Sequence, residues 1–245
     1  MSGGRVLITG ATSGIGFQLA LDYRRAGWQV WGCGRDGERL LVLGRHGITP
    51  LQFDGRDASA VSEAAAGLPR VDLVILNAGH CEYMVVNEGF DSALFARVIE
   101  TNLVATGHAL AAFLPLLGAG GRLAIVSSSV SWLPLPRAEA YGASKAALDY
   151  LADTLRLDLA GKGIGVTLIR PGFVQTPLTA KNDFPMPCLV TVEEASRAIM
   201  AGLTAGRHQI HFPRRFIWLL RLLGALPTGL WLRLGRTLVS KGRPS

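Results

Sequence analysis

Cysteine is scarce in this chain, and its placement gives no sign of a disulfide framework or a metal site. The 245 residues include three cysteines, Cys33, Cys81 and Cys188, an odd number with no CxxC pair among them. We therefore expect reduced thiols and a cytoplasmic protein, since reducing compartments keep thiols free. Histidine is equally sparse: the five histidines form no HxxxH pair, so no metal site is expected.

The beginning of the sequence lacks the charged leader, apolar stretch and cleavage site of a signal peptide. Residues 1–4 lead directly into a strand-like run, and we expect a protein that is not secreted.

Acidic residues are missing from the last forty positions. Residues 206–245 contain eight Lys or Arg and no Asp or Glu, whereas the whole chain carries a net charge of +7. Residues 1–205 therefore sum to −1 (7 − 8), and the body of the protein is almost neutral. This location of the charge makes nucleic-acid binding a poor explanation for it, because the basic stretch is also dense in leucine.

Apolar, β-branched runs alternate with segments of helical period along the chain. Strands are predicted at 5–9, 28–33, 48–53, 71–76, 122–127, 164–170 and 209–212, and helices at 15–26, 36–45, 57–66, 91–117 with a break near Asn102, 138–160 and 192–205. Asp or Thr residues stand at several helix starts, as N-caps do. The alternation predicts an α/β protein with a Rossmann-like, doubly wound, parallel seven-stranded sheet and helices on both faces. We expect one catalytic domain over 1–212 and a helical extension over 213–245.

A glycine-rich turn follows the first predicted strand and opens the first predicted helix. Its sequence, TGATSGIG at residues 9–16, places glycines at 10, 14 and 16. Glycines there allow a tight turn and close approach of the pyrophosphate of a dinucleotide to a helix N-terminus. An ordinary loop between a strand and a helix remains an alternative.

The residues after the second strand bear on which nicotinamide cofactor such a loop would hold. Gly34 stands at the strand end, followed by Arg35 and Asp36. An acid at this point binds the ribose hydroxyls of NAD, whereas an arginine pairs with the extra phosphate of NADP. We favour NADP(H) and interpret Asp36 as the N-cap of the next helix, although its distance from Gly16 would also suit a ribose-binding acid.

Tyr141 and Lys145 lie four residues apart in a predicted helix and so share one face. A free phenol has a pKa near 10, and a neighbouring ammonium would stabilise its anion. This pair suits proton transfer to or from a substrate oxygen. A solvated helix face with no chemical role is the alternative.

Taken together, these motifs resemble the classical short-chain dehydrogenase/reductase (SDR) family over residues 5–212. Besides the glycine-rich loop and the YxxxK pair, the sequence has LNAG at 76–79, TN at 101–102, SSS at 127–129 and PG at 171–172, in the order of the family. The resemblance implies an oxidoreductase that transfers a hydride between a nicotinamide and a carbonyl or alcohol. It also implies a homodimer or homotetramer.

The resemblance assigns catalytic roles to four residues. Tyr141 would exchange a proton with the substrate oxygen, Ser128 would orient that oxygen, Lys145 would hold the ribose and lower the pKa of Tyr141, and Asn102 would anchor a water. Ser127 and Ser129 are close competitors of Ser128.

The resemblance also implies a set of contacts to NADP(H). Asp54 could instead be a simple turn residue. The predicted cofactor residues are Gly10, Ser13, Gly14, Ile15, Gly16, Arg35, Asp54, Asn77, Ala78, Gly79, Tyr141, Lys145, Pro171, Gly172, Val174 and Thr176.

The region after residue 212 departs from the family, being apolar, aromatic and basic at once. Arg221, Pro227 and Arg233 divide it into pieces too short to cross a bilayer. We consider two alternatives for residues 213–236: short amphipathic helices lying on the inner face of a membrane, or a tail that packs over the substrate cleft or at a dimer interface.

The loop between Thr176 and Thr191 is apolar and, by the resemblance, would cover the substrate. It contains Phe184, Pro185, Met186, Pro187 and Leu189. We therefore expect an apolar small-molecule carbonyl or alcohol as substrate. Competing hypotheses are a non-catalytic NADP-binding regulatory protein and a membrane-surface protein that acts through its tail.

Overall fold

The computed structural model describes residues 3–86 and 89–241, with side chains as far as residue 235. The strands are β1 Arg5–Thr9, β2 Gln29–Gly34, β3 Thr49–Gln52, β4 Val71–Leu76, β5 Leu117–Val126, β6 Gly165–Pro171 and β7 Gln209–Phe212. The α-helices are α1 Gly14–Arg25, α2 Gly37–Arg45, α3 Ala58–Ala65, α4 Ser92–Ile99, α5 Ala105–Phe113, α6 Glu139–Ala160, α7 Val192–Thr204, α8 Arg214–Gly224 and α9 Thr228–Lys241.

The seven strands form a single sheet in the order β3-β2-β1-β4-β5-β6-β7. Every neighbouring pair is parallel. The order reverses between β1 and β4, and the prediction of a Rossmann-like, doubly wound fold is confirmed. Ligands bind such sheets outside the carboxyl ends of the strands at this reversal point.

The sheet is buried on both faces by two layers of helices. Side chains of β1 alternate between the layers: Val6 and Ile8 pack with α1, α2 and α7, whereas Leu7 packs with α3, α5 and α6. All three are fully buried. This burial on both sides explains why the strands of the sequence are continuous apolar runs rather than alternating ones.

Asp and Thr residues cap four helices, as their positions in the sequence indicated. Asp36, Asp57, Asp91 and Thr191 each accept hydrogen bonds from backbone N–H groups of the first helical turn. The side chain of Asp36 accepts from the Arg39 N–H at 3.1 Å, which confirms its interpretation as an N-cap.

Two element boundaries differ from the prediction. The helix predicted over 91–117 is α4, a π-helical turn over Glu100–Val104, α5 and a 3-10 turn over Leu114–Leu116. Pro115 lies in that last turn, where its missing N–H prevents continuation of the α-helix. β5 then begins at Leu117, five residues before the predicted start at 122, and an irregular register with β4 accommodates the glycines of 118–121.

The tail forms two helices, α8 and α9, that pack against loops at the carboxyl edge of the sheet. Phe216, Ile217, Leu220 and Trp231 are buried against Leu133. The Trp231 Nε1 donates a hydrogen bond to the Pro134 carbonyl at 3.0 Å. Among the described residues no single helix is long and apolar enough to cross a membrane, while the bent pair Arg214–Gly224 and Thr228–Gly235, at 117° to each other, passes that test together.

Candidate active site

A cleft of about 550 Å³ opens at the carboxyl ends of the strands. Tyr141, Lys145 and Ser128 line it, together with most of the predicted cofactor residues. Those residues are Gly10, Ser13, Gly14, Ile15, Arg35, Asp54, Asn77, Ala78, Gly79, Pro171, Gly172, Val174 and Thr176. Of the predicted site residues, Gly16 and Asn102 are not part of the lining.

In the glycine-rich turn, the backbone at Gly10 lies close to the backbone of the loop after β4. Gly10 has a φ of +65°, and a Cβ there would lie 2.8 Å from the Cα of Ala78, so a larger residue would force the two loops apart. Ser13 occupies the N-cap of α1 without capping the helix with its side chain, and the first turn contains no acidic residue. The N-terminal N–H groups of α1 are therefore available to an anionic group in the cleft.

Gly16 is closely packed behind the cleft, and a part in cofactor binding stays a prediction for it. A Cβ at Gly16 would lie 2.3 Å from the carbonyl oxygen of Gly10 and 2.5 Å from the Nδ2 of Asn77. Gly16 is buried, and its missing side chain lets α1 approach the turn from behind. It therefore shapes the cleft without facing it.

Three arginines line the end of the cleft beyond β2. Arg35 was predicted from the sequence, whereas Arg39 and Arg56 were missed. Arg39 lies four residues after Arg35, a spacing that could have indicated it. Arg56 is placed by the turn at Asp54, whose carboxylate accepts from the Arg56 Nη2 at 2.6 Å.

Asp54 serves as a turn residue and also lines the cleft. Its carboxylate accepts a hydrogen bond from the Arg56 N–H at 3.0 Å, as expected for a turn residue. The Arg56 side-chain hydrogen bond is the main reason that the pKa of Asp54 is lowered to about 2. Arg35 is more loosely held, since its Nη1 lies 3.8 Å from the Asp54 carboxylate and its side chain is mostly exposed.

Asn77 ties the end of β4 to the glycine-rich turn. Its Nδ2 donates to the carbonyl oxygens of Thr9 at 3.1 Å and Gly10 at 3.2 Å. In return, the Thr9 hydroxyl accepts from the N–H groups of Asn77 and Ala78. These bonds cross the reversal point of the sheet and fix the width of the cleft.

Asn102 lies behind the cleft, fully buried in the π-helical turn between α4 and α5. Its Oδ1 accepts from the His80 N–H at 2.7 Å, and its Nδ2 donates to the His80 carbonyl at 2.8 Å and to the Ser144 hydroxyl at 2.9 Å. Asn102 thus joins the loop after β4 to α6, and the water-anchoring role implied by the resemblance remains a prediction.

The Tyr141 hydroxyl and the Ser128 side chain meet at the cleft. Burial raises the pKa of Tyr141 above its usual range, and a hydrogen bond from Ser128 acts in the opposite direction. The Lys145 Nζ lies 5.7 Å from the centroid of the Tyr141 ring, and the lowering of the Tyr141 pKa by Lys145 stays a prediction.

Lys145 is buried, with 3% of its surface exposed. Its Nζ donates to the Val126 carbonyl at 3.0 Å, at the end of β5. Burial lowers the pKa of Lys145 to about 8. The side chain therefore loses its proton more easily than a free lysine but is still mostly protonated at pH 7.

Of the three consecutive serines, Ser127 and Ser128 differ in what they contact. The Ser127 hydroxyl donates to the Lys145 carbonyl at 3.0 Å and is buried, which makes it part of the attachment of α6 to β5. Ser129 is also buried. Ser128, whose side chain reaches Tyr141, keeps the role that the resemblance implies for it.

A row of aromatic rings, which the sequence did not reveal as a unit, extends from Tyr141 to the tail. Burial raises the pKa of Tyr83, and the nearby Cys81 and Tyr141 contribute to that shift. Ring centroids then lie 5.3 Å apart for Tyr83 and Phe184, 6.1 Å for Phe184 and Phe173, and 5.5 Å for Phe173 and Phe216. This row forms an apolar surface next to Tyr141.

The chain matches known proteins over most of its length. The family model described as "short chain dehydrogenase" matches residues 5–185. An uncharacterized oxidoreductase of Myxococcus xanthus is 34% identical over 94% of this chain and 96% of its own length. Sulfoacetaldehyde reductase of Chromohalobacter salexigens is 37% identical over 82% of this chain and 81% of its own length.

The fold is also found in solved structures. A short chain dehydrogenase from Burkholderia cenocepacia in complex with NADP is 27% identical, covers 95% of this chain and 98% of its own, and superposes with a TM-score of 0.85.

Replacing Lys145 with methionine should change how stability depends on pH. The folded pKa of about 8 lies below the ordinary 10.5, so between these values the unfolded chain binds more protons and wild-type stability rises with pH. Below pH 8 the buried charge opposes folding. Lys145→Met removes this pH-dependent contribution. The free energy of unfolding of the variant, relative to that of wild type, should therefore fall by up to about 3 kcal/mol from about pH 7 to pH 10.

Urea denaturation of both proteins across that pH range measures the difference. Lys162→Met, at an exposed position just after α6, should follow the wild-type pH dependence. Parallel curves for Lys145→Met and wild type would show that Lys145 is not held as the structure indicates.

Proposed function

This chain belongs to the short chain dehydrogenase family of oxidoreductases, and from that premise we propose that it uses NADP(H) to interconvert an apolar aldehyde or ketone and the corresponding alcohol. The observation that carries the proposal is the convergence of Tyr141, Ser128 and Lys145 on one cleft. Three arginines line the other end of that cleft.

The residues of the cleft suit NADP(H) on three counts. The uncapped N-terminus of α1 offers N–H groups to a pyrophosphate. Gly10 leaves room for the backbone to approach it. Arg35, which is only loosely paired with Asp54, offers its guanidinium group for the additional phosphate that distinguishes NADP from NAD, whereas Arg39 and Arg56 are already paired with Asp36 and Asp54. The Burkholderia structure, solved with NADP, supports the same assignment.

We propose reduction as the chemistry at neutral pH, where a phenol carries its proton. When bound, the reduced nicotinamide supplies the hydride to the carbonyl carbon. Tyr141 donates a proton to the carbonyl oxygen, and its raised pKa keeps that proton in place at neutral pH. Ser128 holds the same oxygen by a hydrogen bond, and the Lys145 ammonium, buried beside the ring, favours the phenolate left after proton donation.

The aromatic rings next to Tyr141 favour an apolar substrate over an anionic one. Tyr83, Phe184 and Phe173 form the aromatic row beside Tyr141. Arg137, which lies over the Tyr83 ring, is paired with Asp183 at 2.8 Å. Its charge is therefore already compensated, and a sulfonate such as that of sulfoacetaldehyde would gain little from it.

We expect the rate of NADPH oxidation to increase with the apolar chain of an aldehyde substrate. Each buried methylene contributes about 0.8 kcal/mol, so kcat/KM should rise about tenfold from butanal to hexanal. Sulfoacetaldehyde should be a poorer substrate than either. Initial rates followed by the absorbance of NADPH provide the measurement, and a preference for sulfoacetaldehyde would contradict the proposed substrate class.

In the same assay, Tyr141→Phe keeps the ring and removes the proton. Turnover should fall by at least about 100-fold, since that is the contribution of a positioned general acid, while the Kd for NADPH changes little. Tyr150→Phe, on the same helix but exposed, is the matched control and should retain full activity. Retained activity in Tyr141→Phe would exclude it as the proton donor.

Cofactor choice should depend on Arg35. Arg35→Ala should weaken NADPH binding by roughly 10-fold to 100-fold, the value of a charge-assisted hydrogen bond, and NADH binding by far less. Titration by quenching of tryptophan fluorescence measures both affinities. Arg25→Ala, at an exposed arginine on α1, should change neither. Equal losses for the two cofactors would place ribose recognition at this site and not phosphate recognition.

We further propose that the protein forms a homo-oligomer through α6. Tyr150 and Leu157 lie seven residues apart on one side of this helix, each 79% exposed. Large apolar side chains exposed together are typical of subunit interfaces. Light scattering should show Leu157→Glu as a monomer and Leu41→Glu, exposed on α2, with the wild-type mass. A monomeric wild type at about 100 μM would contradict this proposal.

A further inference from the structure

Helices α8 and α9 each have a second face that points away from the protein. On α8 this face contains Arg215, Trp218, Leu219 and Leu222, at the spacing of one helical side. Trp218 is 71% exposed and Leu222 is 68% exposed. Leu230 and Arg233 are exposed on α9. We call these six residues the outer tail face.

The outer tail face is not required to hold the two helices on the protein. That attachment is made by the opposite sides, through Phe216, Ile217, Leu220 and Trp231. Arg221 strengthens it, because its guanidinium stacks on Trp132 at 5.0 Å. The helices are thus fixed in place with their tryptophan and leucines turned outward.

The charge of the outer tail face has one sign. Residues 206–245 contain eight basic residues and no acidic one. Within the part of the chain that the structure describes, Arg214, Arg215 and Arg233 take part in no ion pair. A surface that combines uncompensated arginines with an exposed tryptophan and leucines has the chemistry of a helix lying in an anionic lipid interface.

The geometry agrees with helices that lie on a bilayer. No single helix in the described residues is both long and apolar enough to cross one, and α8 and α9 meet at 117°. We propose that the outer tail face docks the protein onto an anionic phospholipid surface, with Trp218 at the level of the headgroups and the arginines against the phosphates.

The experiment measures sedimentation of the full chain with vesicles of phosphatidylcholine alone and with about 30% phosphatidylglycerol. Binding should require the anionic lipid and should be lost in about 1 M salt, which screens the arginines. Arg215→Gln with Arg233→Gln should weaken binding by about 25-fold, and Trp218→Ser by more than about tenfold. Arg25→Gln and Leu41→Ser, at exposed positions on α1 and α2, are the matched controls and should bind as wild type.

Three results would overturn the proposal: no binding to anionic vesicles, equal binding to both vesicle types, or unchanged binding in the outer-face variants. If Trp218→Ser instead lowers the oligomeric mass while vesicle binding is absent, the occupant of the face is a second copy of the chain. Each variant should keep the wild-type thermal midpoint and NADPH affinity, which shows that it is folded. Vesicle binding is measured without substrate or cofactor, so its outcome is independent of the proposed reaction.

Discussion

The attachment of α6 to the end of β5 is the interaction on which the site depends. Ser127 donates to the Lys145 carbonyl and Lys145 donates to the Val126 carbonyl, both at 3.0 Å. These two bonds fix the position and rotation of α6, which carries Tyr141, relative to β5. They also place Ser128, which follows Ser127, near the Tyr141 hydroxyl. A rotation of α6 by one residue would turn Tyr141 away from the cleft, since neighbouring helical positions point in different directions.

A second layer of bonds keeps this arrangement rigid. Asn102 joins the His80 backbone to Ser144, and the Ser144 hydroxyl donates to the Tyr141 carbonyl at 2.7 Å. The π-helical turn that presents Asn102 interrupts an otherwise long helix, a feature often found at functional sites. Because Asn102 and Ser144 are fully buried, leaving either side chain unpaired would cost free energy, and the network therefore specifies one geometry.

The tail packs against a loop that lines the cleft. Phe216 ends the aromatic row that begins beside Tyr141, and a Cβ on Gly172 would lie 2.9 Å from the Phe216 ring. Gly172 itself lines the cleft. The inner side of α8 thus supports the loop after β6, and its outer side is left for contacts beyond the protein. One short helix serves both purposes because its apolar residues extend around most of its circumference.

The fold class, the order of elements and most of the cleft could be predicted from the pattern of residues. Periodicity separates strands from helices, and parallel pairing follows from their alternation, so the glycine-rich turn, Asn77, Ser128 and Tyr141 could be placed at one edge of the sheet before any coordinates were known. Most boundaries agree with the structure within one residue. Asp36 could be assigned to its cap from its position alone.

Which of these residues touch the cleft, and what surrounds them, depends on how distant segments of the chain pack together. Gly16 and Asn102 carry family motifs, yet both face inward, because orientation depends on how a helix packs and not on the motif. Arg56 and the aromatic row were hidden from the sequence, since they converge from segments far apart in the chain. The effect of burial, which raises the pKa of Tyr141, is likewise one that no local pattern reveals.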